Sequence, residues 1–213
     1  MVGNTLYFFA DDPVYGEELW GNNGTYGGSW LVKDINPGAA SSVVTNTPVA
    51  LSGKLLFVAN DGTHGIELWV SDGTQAGTRL VKDINPNQGL SGAYFHNSVL
   101  WGGLVYFAGN DGQYGDEVWQ TDGTSAGTVR VASPTNSSSG YTAQIMGVIN
   151  NRLYFLSSSS PKLWTTDSTG ADIRLVYDFS AYDPNSGSVF EIGRFGQQPL
   201  FQLCVNSFQF VVQ

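Results

Sequence analysis

A tryptophan recurs through this chain at nearly constant spacing, and that period limits the folds open to it more than any other feature. Trp20, Trp69, Trp119 and Trp164 lie 49, 50 and 45 residues apart. Each follows an apolar residue and precedes an Asp- or Asn-containing turn that begins three residues later. A fixed period of this size marks an array of like supersecondary units.

The second copy shows what one unit is. Glu67, Trp69 and Ser71 point to one face of a strand and Leu68 and Val70 to the other, so both faces carry apolar bulk, as in a strand buried on both sides. Asp72-Gly73-Thr74 is a tight turn: the Asp side chain can bond N–H groups just downstream, and glycine takes the positive φ that the turn demands. Residues 79–84 run back as the partner strand. Preceded by 47–51 and 54–60, with a hairpin at Ser52-Gly53, they complete a four-stranded meander.

The first unit has three such strands. The third repeats the meander through 95–101, 104–109, 117–121 and 129–132, and the fourth through 144–149, 152–157, 162–166 and 173–179. Asn23-Gly24-Thr25, Asp122-Gly123-Thr124 and Asp167-Ser168-Thr169 occupy the turn of the other copies, and Ser168 in place of glycine predicts a different bend in the fourth. From Asp183 the pattern decays into two strand-like stretches, 189–195 and 200–205.

Four-stranded antiparallel meanders, apolar on both faces, predict an all-β chain and a β-propeller whose blades pack face to face. The units span 1–46, 47–93, 94–142, 143–187 and a partial 188–213, which makes one domain of about four blades plus a degenerate C-terminal segment. Residues 189–195 are expected to supply the missing first strand of the opening unit, the alternative being a piece of a larger ring. An open end would expose apolar faces and strand edges, which favours closure. Burying an inter-blade Trp removes roughly 150–250 Å² from water, worth on the order of 4–6 kcal/mol as an upper bound.

A net charge of −9 with nine scattered Lys and Arg excludes the clustered basic surface that nucleic acid requires. No apolar run approaches the length of a membrane helix, so no membrane insertion is expected. The single Cys204 rules out an intrachain disulfide and any Cys-based zinc site; it is read as a buried strand residue or a free thiol. Met1 is followed by no signal-peptide pattern, so the protein is cytoplasmic or its export signal lies outside this chain.

Glu67-Leu68-Trp69-Val70-Ser71-Asp72-Gly73-Thr74, then Ala76-Gly77-Thr78 and Leu80-Val81-Lys82-Asp83-Ile84-Asn85-Pro86, resembles the ELWxxDGT repeat of bacterial secreted and cell-surface proteins. Glu117-Val118-Trp119 with Asp122-Gly123-Thr124 fits the third unit, and Glu18-Leu19-Trp20 with Leu31-Val32-Lys33-Asp34-Ile35-Asn36-Pro37 the first. The likeness runs over residues 6–180. It departs at Asn23, at Ala132-Ser133 and at Lys162, and the fourth unit lacks Lys-Asp-Ile. The resemblance implies a propeller-like array exported from a bacterium, extracellular or on the cell surface, and implies no catalytic residues.

Two kinds of site are expected from the loops. Asp12 with Glu18, Asp61 with Glu67 and Asp111 with Glu117 are carboxylates six residues apart, and Asn60 and Asn110 stand beside two of them. Such a set offers several of the oxygens that Ca²⁺ takes; otherwise the Asp shapes the loop and the Glu is solvated or paired with a lysine such as Lys82. Tyr15, His64 and Tyr114 share one loop position and could form a stacking rim for a sugar or peptide, or could cover neighbouring turns. Trp30 and Trp101 depart from the repeat and are extra core or ligand contacts. Trp20, Trp69, Trp119, Trp164, Asp72, Gly73, Asp122 and Gly123 are structural.

Gly123-Thr124-Ser125-Ala126-Gly127 fits the Gly-x-Ser-x-Gly string only within the repeated turn, between two strands and with no helix to form a nucleophile elbow, and no phosphate-binding loop or paired-histidine motif is present. Glu18, Glu67 and Glu117 recur as equivalents, whereas catalysis needs unlike environments. The sequence therefore predicts a non-catalytic surface module presenting loops to a protein or glycan ligand, without a cofactor unless calcium binds. The alternatives are a calcium-stabilised adhesion module, a purely structural array and a glycosidase-like propeller enzyme.

Overall fold

The computed structural model describes residues 2–43, 48–87, 92–132, 143–157 and 162–179, and three strands between 188 and 212. Among them there is no helix. The first sheet comprises β1 (Leu6–Asp12), β2 (Gly16–Asn22) and β3 (Ser29–Lys33). The second holds β4 (Val49–Leu51), β5 (Lys54–Asn60), β6 (Ile66–Ser71) and β7 (Arg79–Lys82). The third holds β8 (Ala93–Trp101), β9 (Leu104–Asn110), β10 (Asp116–Thr121) and β11 (Val129–Ala132), and the fourth β12 (Ala143–Ile149), β13 (Arg152–Ser157), β14 (Lys162–Thr166) and β15 (Arg174–Asp178). Every sheet is an antiparallel meander in chain order. The unit boundaries expected near 46, 142 and 187 fall outside the described residues, as does the start of the expected strand at Thr47.

The chain's last segment differs from expectation. β16 (Ser188–Phe195) pairs with β17 (Gln198–Val205), and β17 with β18 (Phe208–Val212), as a separate three-stranded sheet. Residues 189–195 thus do not complete the first sheet. A hairpin partner two residues away in sequence captures β16 at a far smaller loop-closure cost than a strand at the other end of the chain.

Period-2 alternation builds the cores between sheets. Tyr7, Phe9, Leu19 and Val32 of the first sheet meet Leu55, Phe57, Ala59, Trp69 and Leu80 of the second, with the Phe9 and Phe57 rings 6.0 Å apart. The opposite face of the second sheet, through Leu56, Val58, Leu68 and Val70, meets Val105, Phe107 and Trp119 of the third. Tyr106, Ala108 and Val118 then meet Ile145, Leu153 and Phe155 of the fourth. Trp69 and Trp119 are buried between sheets; Trp20 and Trp164 are half-buried.

A bulge interrupts this alternation at the same place in four sheets. The register shifts between Leu19 and Trp20, Leu68 and Trp69, Val118 and Trp119, and Leu163 and Trp164, leaving an extra residue on the outer strand. A bulge re-aims the side chains around it. In consequence the adjacent Val81 and Lys82 both face the third sheet, Val81 in the shared core and Lys82 over Trp119, its Nζ 5.7 Å from the ring centroid.

That lysine ties consecutive sheets. Lys82 Nζ donates to the Thr128 carbonyl at 2.8 Å, and Lys33 Nζ does the same to Thr78 at 2.8 Å while lying 5.7 Å from the Trp69 centroid. The turn that receives it is wired internally. Thr78 Oγ1 donates to the Thr74 carbonyl, so its remaining contact, with Ser71 Oγ at 2.7 Å, must be one in which Ser71 donates. Ser71 Oγ in turn accepts from Gly73 N. Thr121, Gly123, Thr124 and Thr128 repeat the relay in the third sheet.

The turn chemistry matches expectation in all four copies. Asn23, Asp72, Asp122 and Asp167 each accept from the backbone N–H and the hydroxyl of the Thr two residues on. Gly73 has φ 90°, and an added Cβ there would collide with the Tyr7 hydroxyl of the preceding sheet. The bend does shift in the fourth copy, where the positive φ moves to Gly170 (76°) and Tyr106 Oη donates to the Ser168 carbonyl at 3.2 Å.

Lys82→Met keeps the apolar stem over Trp119 and leaves the buried Thr128 carbonyl without its donor. The expected cost is about 1–3 kcal/mol, read as a lower urea midpoint. An unchanged midpoint would show that the strap carries no stability.

Candidate functional site

The loops and strand ends at the Glu-bearing edge of each sheet hold most of the polar residues singled out in the sequence. Glu18 and Glu67 are completely buried and Glu117 nearly so, which a solvated role does not anticipate. Glu18 Oε1 accepts from Asn36 N at 3.0 Å and its Oε2 from Ser42 Oγ at 2.6 Å. Glu67 accepts from Ile84 N at 3.0 Å and Asn85 N at 3.2 Å. Both hold down the segment that follows the outer strand. Lys82 is not the partner of Glu67, since it is engaged with the next sheet.

Above each carboxylate, one residue of the crossing chain joins two sheets through its backbone. Ser42 N donates to Glu17 O, and Asn60 N donates to Ser42 O at 2.8 Å. Gly92 N donates to Ile66 O, and Asn110 N to Gly92 O, both at 2.9 Å. Where Ser42 offers Glu18 a hydroxyl, Gly92 offers none, and a Cβ there would meet the Glu67 carboxylate. Glu67 therefore relies on backbone N–H donors alone among these contacts.

In the third sheet Arg130 replaces the leucine at this register. Its Nη1 lies 2.9 Å from Glu117 Oε2 and 4.0 Å from Asp111 Oδ2, and its guanidinium lies 4.9 Å from the Tyr114 ring centroid. In the fourth the charges are exchanged: Lys162 stands at the Glu position, with Nζ 3.2 Å from Asp178 Oδ2.

Burial dominates the Glu67 carboxyl and pushes it up to about 7, while the Ile84 and Asn85 N–H groups pull the other way. Glu18 is also raised by burial, against the bonds from Ser42 and Asn36. His64 is raised by its 2.7 Å bond to Asp61 Oδ2. Burial pushes Asp61 up, but the His64 N–H, the His64 ring and the Thr63 N–H together hold it low.

The loop aspartates act on their own backbone. Asp12 Oδ1 accepts from Val14 N and Tyr15 N, Asp61 Oδ1 from Thr63 N and His64 N, and Asp111 Oδ1 from Gln113 N. Asn60 and Asn110 accept from Gly62 N and Gly112 N. Among the described residues no group of three or more His, Cys, Asp or Glu side chains comes together as a metal site. In the first two sheets the Asp serves the loop and the Glu serves the segment that crosses to the next sheet.

The expected aromatic rim is divided. Tyr114 is covered by Arg130 and His64 is tied to Asp61. Trp101 packs on Tyr106, ring centroids 5.2 Å apart, against the core between the third and fourth sheets. Tyr15 and Trp30, 37% and 36% exposed, instead share a cleft of about 450 Å³ between the first sheet and the Gly73-Thr74-Gln75 turn of the second. Lys33 and Asp34 also line it. Asp34 Oδ2 accepts from Gly38 N, whereas its buried Oδ1 has no donor among the described residues. A cleft this size can hold a small ligand.

Sequence inspection missed the lysine strap, although a signal was present. Where the third unit loses the lysine at Ala132, the fourth loses the receiving threonine at Ile173, so donor and acceptor disappear together.

No family model matches the sequence, and no curated protein matches it significantly. Solved structures match in fold. A puromycin hydrolase mutant complexed with PGG is similar over 94% of this chain and 32% of its own, with 14% identity and a TM-score of 0.52. A chain from a study of two prolyl endopeptidases is similar over 98% of this chain and 33% of its own, with 11% identity and a TM-score of 0.56. This chain thus spans 32% and 33% of those proteins, and the likeness is one of fold.

Two measurements follow. Between about pH 4.5 and about pH 7, folded Glu67 keeps a proton that the unfolded chain releases, so its contribution falls as pH rises and is fully unfavourable above that window. The stability of wild type relative to Glu67→Gln should therefore decline across the window by roughly 3 kcal/mol; a pH-independent difference refutes the raised carboxyl. Excess Ca²⁺ and EDTA should give the same melting midpoint, whereas a rise specific to Ca²⁺ would restore a metal to these loops.

Proposed function

We propose that the repeated meanders are blades of a β-propeller acting as a non-catalytic binding module outside a bacterial cell, with a glycan as ligand in the Tyr15–Trp30 cleft. The observation that carries this reading is the cleft itself: two half-exposed aromatic rings, one on a loop and one on β3, flank Lys33 and Asp34. Aromatic faces stack on the C–H faces of sugar rings, and Lys33 and Asp34 add polar side chains to the lining. Support for export comes from the ELWxxDGT resemblance and the acidic charge. The glycosidase-like alternative loses ground because Glu18 and Glu67 are already occupied by N–H and hydroxyl donors.

The fold likeness to parts of a puromycin hydrolase chain and a prolyl endopeptidase chain favours a second reading, in which the propeller is a non-catalytic part of a larger hydrolase and the cleft takes a peptide.

A glycan array followed by calorimetry separates the two. Saturable glycan binding is expected, weakened about tenfold or more by Tyr15→Ala or by Trp30→Ala. Tyr114→Ala, outside the cleft, should bind normally. Glycan binding indifferent to both cleft variants would remove the site, and saturable binding of peptides alone would favour the second reading.

A further inference from the structure

Three of the four repeated turns carry aspartate at their first position, and one carries asparagine. Asn23-Gly24 is also the one Asn-Gly pair in the sequence. We propose that Asn23 is a self-modifying position, converted by water without an enzyme to the aspartate that the other turns already hold.

The local geometry supplies what the reaction needs. The turn is exposed, Gly24 has φ 86°, and a Cβ at Gly24 would meet nothing within 4 Å, so no neighbouring group crowds the glycine beside Asn23. Asn23 Oδ1 accepts from Thr25 N at 3.1 Å and from Thr25 Oγ1 at 2.7 Å. These bonds fold the side chain back across its own peptide and polarise the amide carbonyl, the role that paired donors play toward any developing oxyanion. The Gly24 N–H donates to Asn22 Oδ1 at 2.6 Å, which polarises it, and solvent at this exposed turn carries the proton to the leaving amine.

In the step, Gly24 N forms a bond to Asn23 Cγ and loses its proton. The Cγ–Nδ2 bond breaks, and ammonia leaves with that proton. Water then opens the succinimide ring at one of its two carbonyls, giving an aspartate or its β-linked isomer. No oxidant or reductant enters.

The other turns show why the reaction belongs here and which product the fold accepts. Asp72 and Asp122 have the same glycine next to them, but hydrogen bonds from Thr74 and Thr124 hold their carboxyls low and ionised, and a carboxylate is a poor electrophile. Their contacts to the Thr N–H and hydroxyl, 2.9 and 2.7 Å for Asp72 and 2.8 and 2.6 Å for Asp122, match those of Asn23. The α-linked product fits the same turn; the β-linked isomer lengthens the backbone and does not.

Ageing the purified chain at mildly alkaline pH, with peptide mapping by mass spectrometry and enzymatic detection of isoaspartate, tests the proposal. Asn23 should convert before every other asparagine, adding one negative charge to the −9, and the α-linked product should predominate. Asn23→Asp should melt like the parent, and Thr25→Ala should slow conversion and shift the product toward the β-linked isomer. An intact Asn23 in the folded chain, while the same segment converts in its isolated peptide, would show that the turn protects and would overturn the proposal. So would another asparagine reacting first, or unchanged rate and product ratio in Thr25→Ala.

Discussion

The architecture depends on an ammonium group that leaves its own sheet. Lys33 and Lys82 each place Nζ between the carbonyl of a buried threonine and the face of a buried tryptophan in the sheet that follows. Neither contact is available to a strand with regular alternation, because the preceding valine already faces that way. The bulge opposite each tryptophan resolves the conflict by letting two successive residues serve one interface, the first filling the core and the second satisfying a polar group at its margin. The repeated Trp, the bulge, the Lys and the receiving Thr form one device. Where Lys gives way to Ala132 and Thr to Ile173, apolar packing and the Tyr106–Ser168 bond take over.

A second device works at the strand ends that carry Glu18 and Glu67. Burying Glu18 and Glu67 carries a desolvation cost that hydrogen bonds only partly offset, as the raised carboxyls show. What the fold gains is position: each carboxylate fixes the segment leaving the outer strand, just where a single backbone residue stitches the next sheet to the last. The third and fourth sheets carry ion pairs at these positions, Arg130–Glu117 and Lys162–Asp178, the second with the charges exchanged. Equivalent positions thus hold unlike electrostatics.

Much of this was legible in the sequence, and the boundary falls along a physical line. Strands, hairpins and Asp-Gly-Thr turns are local, and period-2 alternation with Asn, Asp and Gly placement finds them. The positive φ at Ser52-Gly53 sits where the hairpin was expected, and Asn150-Asn151 takes it between the strands expected at 144–149 and 152–157. Contacts between units are another matter. A one-residue bulge reverses which face a side chain meets, so Lys82 reads as an exposed partner for Glu67 when it belongs to the next sheet. Glu67 itself reads as solvated, since a carboxylate is seldom buried; only backbone donors from a distant segment make burial tolerable. The aromatic rim dissolved for a similar reason: Tyr15, His64 and Tyr114 share a loop position but not a neighbour. Trp30, an irregularity in the repeat, is the ring that joins Tyr15.

The lysine strap also gives the array a polarity. The second unit receives from the unit before and gives to the unit after, while the third receives and gives no lysine, and the fourth receives packing and a tyrosine hydroxyl instead. A duplicate of the second unit, inserted beside the original, would find a matched donor on one side and a matched receiver on the other. A duplicate of the fourth would find neither. The second unit is thus the one whose repetition would leave no lysine and no receiving carbonyl unmatched.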